Sequence, residues 1–263
     1  MLFQTFLWAT GNEDTTEGIH KFQEASMKTV AVVLAAGNGS RMKSDVKKQY
    51  LDLGGKPLIY YSIKAFEESI ADDIVVVVSR GDVDFVKKEI VEKYGFDKVT
   101  AVVEGGMTRY HSVRLGLMAA AADCDYAFIH DGARPFIDKD IIMRALDAVK
   151  THKACVVGMP AKDTVKIADD KGFAEKTPDR DKVWVVQTPQ VFSYGMILDL
   201  YKRLDREEGD IMAKGINITD DAMVVEYYTD IRVKLVEGSY DNIKITTPED
   251  IAVAQAILDR RKR

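Results

Sequence analysis

From Met27 onward, short runs of apolar, mostly β-branched residues alternate with longer segments whose apolar side chains recur at helical spacing. The runs are TVAVVL at 29–34, IVVVV at 74–78, VTAVV at 99–103, YAFIH at 126–130 and ACVVGM at 154–159. Runs this short and this uniformly apolar predict strands buried on both faces. Between them, Leu58, Ser62, Ala65 and Phe66, then Val83, Val86, Ile90 and Val91, then Val113, Leu117 and Met118 fall on single helical faces. Parallel neighbours need crossover connections, and both sheet faces then need covering, so the alternation predicts an α/β fold: a mostly parallel sheet with helices on both faces. Ligands in such sheets bind beyond the carboxyl ends of the strands.

The pattern breaks between about 160 and 190. There DTVKIADDKGFAEKTPDRDKVWVVQTPQ reads as short strands joined by the turn segments DDKG and TPDRD, with no room for a crossover helix. A β-hairpin leaving an α/β body is either a flap over its own site or an arm that packs on another subunit. Helical spacing resumes at 193–207 and 219–228, followed by a strand at VKLVEG and a last strand at NIKIT. The closing helix is signalled by Thr247 as cap, Pro248 in the first turn, and Glu249 and Asp250 at the positive dipole end. Arg260 to Arg263 match the opposite end and read as solvated charge.

With 263 residues, 46% of them hydrophobic, the chain can bury a core without disulfides or metal, and 27–263 reads as one domain. A net charge of −5 excludes a global positive field for nucleic acid or anionic membranes, so an anionic substrate must be caught by a local basic cluster. Two cysteines, Cys124 and Cys155, are too few for a disulfide framework; they read as small core residues in a reducing cytoplasm. Residues 1–26 begin with MLFQTFLWAT, which lacks a preceding basic region and is too short to span a bilayer. Glu13, Asp14, Glu17 and Glu24 argue against a transit peptide. The segment is either an N-terminal extension, disordered or from a misassigned start, or a short helix packed on the surface or on a partner.

Chemistry concentrates at strand ends. The first strand runs into LAAGNGSRMKSDVKKQY, where the small residues Ala35, Ala36, Gly37 and Gly39 let backbone amides approach a phosphate or nucleotide. The loop lacks the GK[ST] ending of a Walker motif, and Met42 stands at the third glycine position of a dinucleotide fingerprint. Arg41 and Lys48 follow, two cations suited to the negative charge that builds up when an α-phosphorus is attacked. VEGGMTRYHSV at 103–113 repeats the logic: Gly105 and Gly106 end a strand, a helix starts near Arg109 and Ser112, and a flat base fits that backbone. In IHDGARPF at 129–136, Asp131 is placed to hold Mg²⁺ or a sugar hydroxyl, and Arg134 to fork a phosphate. His130 reads as a packing or hydrogen-bonding residue, and neither a Ser/His/Asp order nor a metal-ligand histidine spacing occurs.

Taken together, LAAGNGSRM, KKQYLDLGGKP, EGG…R…SV, HDGARPF, DTVK, TPDR, QTPQVF, TDDA and VEGSYDNIKITTPEDI resemble the 2-C-methyl-D-erythritol 4-phosphate cytidylyltransferases of the non-mevalonate isoprenoid pathway. The resemblance runs in order from Met27 to the end. It implies a Rossmann-like nucleotidyltransferase fold of the glycosyltransferase-A type, CTP as substrate, a Mg²⁺ requirement and a cytoplasmic homodimer whose 160–190 hairpin clasps the partner. Residue by residue, it implies CTP binding by Ala35, Ala36, Gly37 and Gly39, base reading by Gly105, Gly106 and Ser112, and transition-state stabilisation by Arg41 and Lys48. Asp131, Arg134 and Thr188 would meet the acceptor or metal, Thr164 and Arg180 would reach across from the partner's arm, and Lys244 would position the acceptor phosphate.

Two departures touch loop rigidity and local polarity: Lys47 stands where the family often has proline, and Met107 and Thr108 replace a polar, acidic stretch. The related ribitol 5-phosphate cytidylyltransferases share the loop, the HD.RPF motif and the NIK strand. Thr177, Arg180 and Trp184 favour methylerythritol phosphate over ribitol phosphate. A nucleotide-sensing module without catalysis would be expected to lose Arg41, Lys48 or Lys244, and all three are present.

Overall fold

The computed structural model describes residues 27–37 and 46–262, so the expectations for residues 1–26 and for Gly39, Arg41 and Arg263 lie outside the described residues. The chain opens on β1 (Thr29–Ala35), then β2 (Asp52–Leu53), β3 (Lys56–Pro57), α1 (Leu58–Glu67) and β4 (Asp73–Val78). Next come α2 (Val83–Val86), which continues into a π-helical stretch at Lys87–Glu92, then β5 (Val99–Glu104), α3 (Arg109–Ala119) and β6 (Tyr126–Asp131). After α4 (Lys139–His152) and β7 (Ala154–Pro160) come the short pair β8 (Ile167–Ala168) and β9 (Ala174–Lys176), then β10 (Trp184–Ser193). The chain closes with α5 (Tyr194–Ala213), α6 (Asp221–Tyr228), β11 (Lys234–Glu237) and α7 (Pro248–Arg261).

Seven strands form the central sheet in the order β11-β7-β10-β6-β1-β4-β5. β10 is antiparallel to both its neighbours, and the other pairs are parallel. β1 shows why its residues make a central strand. Ala31 and Val33 face α1 and α4, while Val30 and Val32 face α3 and α5; all four are fully buried. At roughly 1.5–3 kcal/mol for each fully buried Val or Ile, two covered faces outweigh the cost of ordering a strand of this length. α3 lies close on β1 because Gly116 has no side chain: a Cβ there would stand 2.4 Å from Val32 Cγ1. That close approach sets where the first turn of α3 emerges.

From β1 the chain builds outward through β4 and β5, then returns to the other side of β1 with β6. The strand order therefore reverses beside β1, and a crevice opens beyond the carboxyl ends of β1 and β6. A third cluster, Leu53, Leu58, Phe136, Ile245, Ala254, Ile257 and Leu258, packs α7 against the segment that floors this crevice.

Three expectations change. The segment read wholly as a hairpin yields β10, whose residues Gln190–Phe192 pair with both β6 and β7 across a register shift after Val186. Only β8 and β9 remain as a separate two-stranded ribbon, its residues exposed. NIKIT is no strand: despite its alternating pattern it forms a loop that buries Asn242 and Ile245, tied by the Ile245 amide to the Ala133 carbonyl at 2.9 Å. The basic end of α7 is partnered as well as dipole-matched, since Arg260 pairs with Asp241 and Arg261 donates to the Phe136 carbonyl. The two cysteines are buried as expected. Among the described residues, no helix is long and apolar enough to cross a membrane.

Candidate active site

A cavity of about 550 Å³ occupies the crevice, walled by the ends of β1, β5 and β6, by the turn before β2 and by the loop after β11. Leu34 to Gly37 come from β1, Gly105 to Ser112 from the turn into α3, Asp131 and Ala133 from β6, and Lys244 from the closing loop. Ser79 and Arg80 after β4 complete it, with Lys48 and Gln49 from a 3-10 turn at Lys48–Tyr50. The β1 end is braced by Ser79 Oγ, which donates to the Ala36 carbonyl at 3.2 Å.

The turn after β5 is held tightly. A Cβ on Gly105 would stand 2.4 Å from Ala36 Cβ and 2.7 Å from Ser112 Oγ, so only glycine fits this approach. Ser112 Oγ accepts from the Gly106 amide and donates to the Thr108 carbonyl, each at 3.1 Å. Thr108 caps α3 by accepting from the His111 amide. The result is a tightly held stretch of backbone on the cavity wall, against which a flat heterocycle can lie.

Among the described residues, four cations, Lys48, Arg80, Arg109 and Lys244, line the cavity against one carboxylate, Asp131. That local excess of positive charge is what an anionic substrate needs on a protein of net charge −5. Lys244 Nζ stands 2.7 Å from Asp131 Oδ2, Arg109 Nε 3.5 Å from Oδ1, and Arg134 Nε 3.9 Å from Oδ2. Burial alone would raise the Asp131 carboxyl, but the charges of Arg109, Lys244 and Arg134 override it and hold it well below the usual carboxylate range. Arg109 is itself anchored: both its terminal nitrogens donate to Asp221, at 2.8 and 2.7 Å, and Tyr201 Oη donates to the same carboxylate. Asp221 is fully buried.

A second network sets the backbone of Asp131. Its amide donates to Thr188 Oγ1 at 3.0 Å, and that hydroxyl donates to His130 Nδ1 at 3.1 Å. His130 Nε2 then donates to the Arg134 carbonyl at 3.1 Å. Burial pushes the imidazole down to about 4, so the ring stays neutral near pH 7 and keeps this proton arrangement. Lys244 is located by its neighbours: buried Asn242 donates to the Thr188 carbonyl at 2.9 Å, and its own carbonyl accepts from Arg134 at 2.8 Å. Lys48 Nζ reaches the Ile245 carbonyl at 3.4 Å.

Of the residues singled out in the sequence, Ala35, Ala36, Gly37, Lys48, Gly105, Gly106, Ser112, Asp131 and Lys244 converge on the cavity wall. Arg134 and Thr188 stand behind Asp131 and brace it. Thr164 and Arg180 do not line this cavity; both are exposed, and Arg180 donates to the Lys162 carbonyl at 3.3 Å. Among the described residues, no three His, Cys, Asp or Glu side chains are grouped to hold a metal.

The family model described as IspD: 2-C-methyl-D-erythritol 4-phosphate cytidylyltransferase matches residues 29–260. The chain belongs to this family. It is 50% identical over 231 residues to the 2-C-methyl-D-erythritol 4-phosphate cytidylyltransferase of Lachnoclostridium phytofermentans, covering 88% of this chain and 96% of that protein. The enzyme of the same name from Alkaliphilus oremlandii is 46% identical over 236 residues, covering 89% and 97%. Among solved structures, 4-diphosphocytidyl-2C-methyl-D-erythritol synthase from Anaerococcus prevotii superposes with a TM-score of 0.76 at 34% identity, covering 89% and 97%. The 2-C-methyl-D-erythritol 4-phosphate cytidylyltransferase of Thermus thermophilus gives 0.68 at 29%, covering 89% and 100%. The fold expected from the resemblance to the cytidylyltransferases is therefore the fold found.

Among the polar residues of the site that were not singled out as functional are Gln49, Arg80, Arg109 and Asp221. Arg109 lay inside the quoted EGG…R…SV motif, but its role as a neighbour of Asp131 depends on Asp221, 112 positions away. The TDDA motif contains Asp221 without signalling that it is buried. Gln49 lay inside the quoted KKQYLDLGGKP motif without a role, and no local pattern marks Arg80.

Proposed function

We propose that the chain transfers CMP from CTP to 2-C-methyl-D-erythritol 4-phosphate, giving 4-diphosphocytidyl-2-C-methyl-D-erythritol and pyrophosphate for isoprenoid precursor synthesis. The observation that carries this reading is a cavity lined by four cations, two of them paired with Asp131, beside the tightly held backbone of Gly105 and Gly106, in a chain of this family. An acceptor phosphate oxygen attacks the α-phosphorus of CTP. A new P–O bond forms, the bond from that phosphorus to the α–β bridging oxygen breaks, and pyrophosphate leaves with the electron pair. Both reactants are anions, so positioning and charge stabilisation are the main tasks left to the protein.

In this reading Ala35, Ala36, Gly37 and Gly39 cradle the triphosphate, while Gly105 and Gly106 meet the cytosine and Ser112 fixes their backbone. Lys48, with Arg41, stabilises charge on the α-phosphoryl oxygens and on the leaving group. Lys244 holds the acceptor phosphate, and Arg134 and Thr188 act on the acceptor through Asp131. Mg²⁺ binds through one or two carboxylates plus substrate phosphates, and Asp131, the ionised carboxylate on the cavity wall among the described residues, would be the protein's ligand to it. When bound there, the ion would offset charge on the triphosphate. Residues 27–263 serve as one catalytic unit in the cytoplasm, a setting that fits two unpaired cysteines.

We further read the protein as a homodimer. Ile167 and Phe173 of the β8–β9 hairpin are 45% and 71% exposed, and Val185 in β10 is 59% exposed, apolar side chains that a partner could cover. Thr164 and Arg180, exposed and away from their own cavity, are then available to the partner's site. The test is pyrophosphate release with CTP, Mg²⁺ and either acceptor. Methylerythritol phosphate should give much the higher kcat/KM; a preference for ribitol 5-phosphate would move the chain's substrate, and no release with either would overturn the reading.

A further inference from the structure

Just before the 3-10 turn that carries Lys48 into the cavity, Lys47 makes an ion pair that the catalytic reading does not use. Its Nζ lies 2.7 Å from both carboxylate oxygens of Asp82, and Tyr50 Oη donates to Asp82 Oδ2 at 2.9 Å. Lys47 and Tyr50 bracket Lys48 and Gln49, so Asp82 grips the turn at both ends. Within the turn, the Tyr50 amide donates to the Lys47 carbonyl at 2.9 Å. The Tyr50 ring also rests edge-on against Phe85, with centroids 5.0 Å apart.

Asp82 is a fixed post. Its amide donates to the Ser79 carbonyl at 3.0 Å, and its carbonyl accepts from the Val86 amide at 2.9 Å. The same turn is tied to the end of β1 through Ser79 and Ala36, and to the end of β5 by the Gly81 amide donating to Glu104 at 2.9 Å. The post therefore belongs to the strand ends that form the nucleotide side of the cavity. A lysine side chain alone has too much rotamer freedom to set a backbone, but pairing it with a braced carboxylate and a packed tyrosine removes that freedom.

We propose that Lys47, Asp82 and Tyr50 form a clamp that positions Lys48 for the transfer step; this rests on the role given to Lys48 above. The clamp acts through Lys48 and touches no reacting atom, so its members are positioning residues. Lys47 stands at φ −57°, the angle that a proline ring fixes, and at ψ 134°, which proline also adopts. Among the described residues its amide donates no hydrogen bond, so proline loses nothing there. Proline can thus replace the ion pair by a different physical means, which gives a test that simple disruption cannot.

The experiment compares Asp82→Asn, Lys47→Ala, Lys47→Pro, the double variant Lys47→Pro with Asp82→Asn, and Lys48→Ala, by steady-state kinetics and thermal melting. Asp82→Asn and Lys47→Ala should each lower kcat roughly ten- to a hundredfold, the scale of a small misplacement, with a much smaller change in KM for CTP. Melting temperatures should barely move, because a partly exposed ion pair adds little global stability. Lys47→Pro should be active, and the double variant should recover most of the rate lost in Asp82→Asn. Unchanged kcat in Asp82→Asn, or no recovery in the double variant, overturns the clamp. Lys48→Ala separates the two ideas: its normal turnover would sink the role of Lys48 and the clamp with it, whereas a large loss beside an unaffected Asp82→Asn sinks the clamp alone.

Discussion

Replacing Asp221 by asparagine should destabilise the protein more than any surface change, and the size of the effect follows from what Asp221 does. Its buried carboxylate accepts two bonds from Arg109 and one from Tyr201. Asparagine keeps the shape but turns one acceptor into a donor that faces the donors of Arg109. Losing one partner of a buried ion pair costs about 3–5 kcal/mol. The Arg109 side chain is 32% exposed, so water relieves part of its loss, and the lower end, about 3 kcal/mol, applies. Arg109→Met should cost a similar amount by stranding the carboxylate. The double variant removes both charges and leaves asparagine to accept from Tyr201. Urea unfolding at constant m-value should therefore show a double-variant loss smaller than the sum of the single losses by about 2 kcal/mol or more. Additivity to within about 0.5 kcal/mol would refute the idea that the pair is a coupled, buried unit.

Protonation of His130 opposes folding, because the folded ring titrates near 4 whereas the free side chain titrates near 6.5. Between those pH values the unfolded state holds the extra proton, so stability should fall on acidification through that window by on the order of 3 kcal/mol and then lose nothing more from this group; His130→Gln should flatten the slope. Gly105→Ala forces a Cβ into Ala36 and Ser112, and should cost roughly 1–3 kcal/mol of stability and weaken CTP binding measured by calorimetry; wild-type affinity would argue against a base slot there. Lys48→Ala should lower turnover roughly 100- to 1,000-fold with little change in CTP affinity. Mixing inactive Lys48→Ala chains with inactive Arg180→Ala chains should restore activity through hybrid sites, and verified heterodimers without rescue would make the site self-contained.

The five central-sheet strands up to Pro160 and the helices α1, α2 and α3 were legible in the sequence because each reports burial locally: a β-branched run is a strand covered on both faces, and a 3.6-residue period is a face turned to the sheet. The small residues at 35–37 and the pair Gly105 and Gly106 were legible for a related reason, since close approach of backbone needs the absence of a side chain at particular positions. Lys48, Asp131 and Lys244 could be named from motif resemblance.

Tertiary structure alone decided the rest. β10 gave no crossover signal, because an antiparallel strand inserted between β6 and β7 takes its identity from neighbours far along the chain. NIKIT alternates like a strand, yet its Asn242 and Ile245 are spent fixing a loop. The charge state of Asp131 depends on three cations from separate elements, and Arg109 depends on Asp221 across 112 positions. The grip of Asp82 on Lys47 and Tyr50 likewise spans more than thirty positions. Sequence periodicity reports how one residue meets the average interior, whereas a site is made of particular pairs, and which side chains become pairs is settled only when the sheet brings its strand ends together.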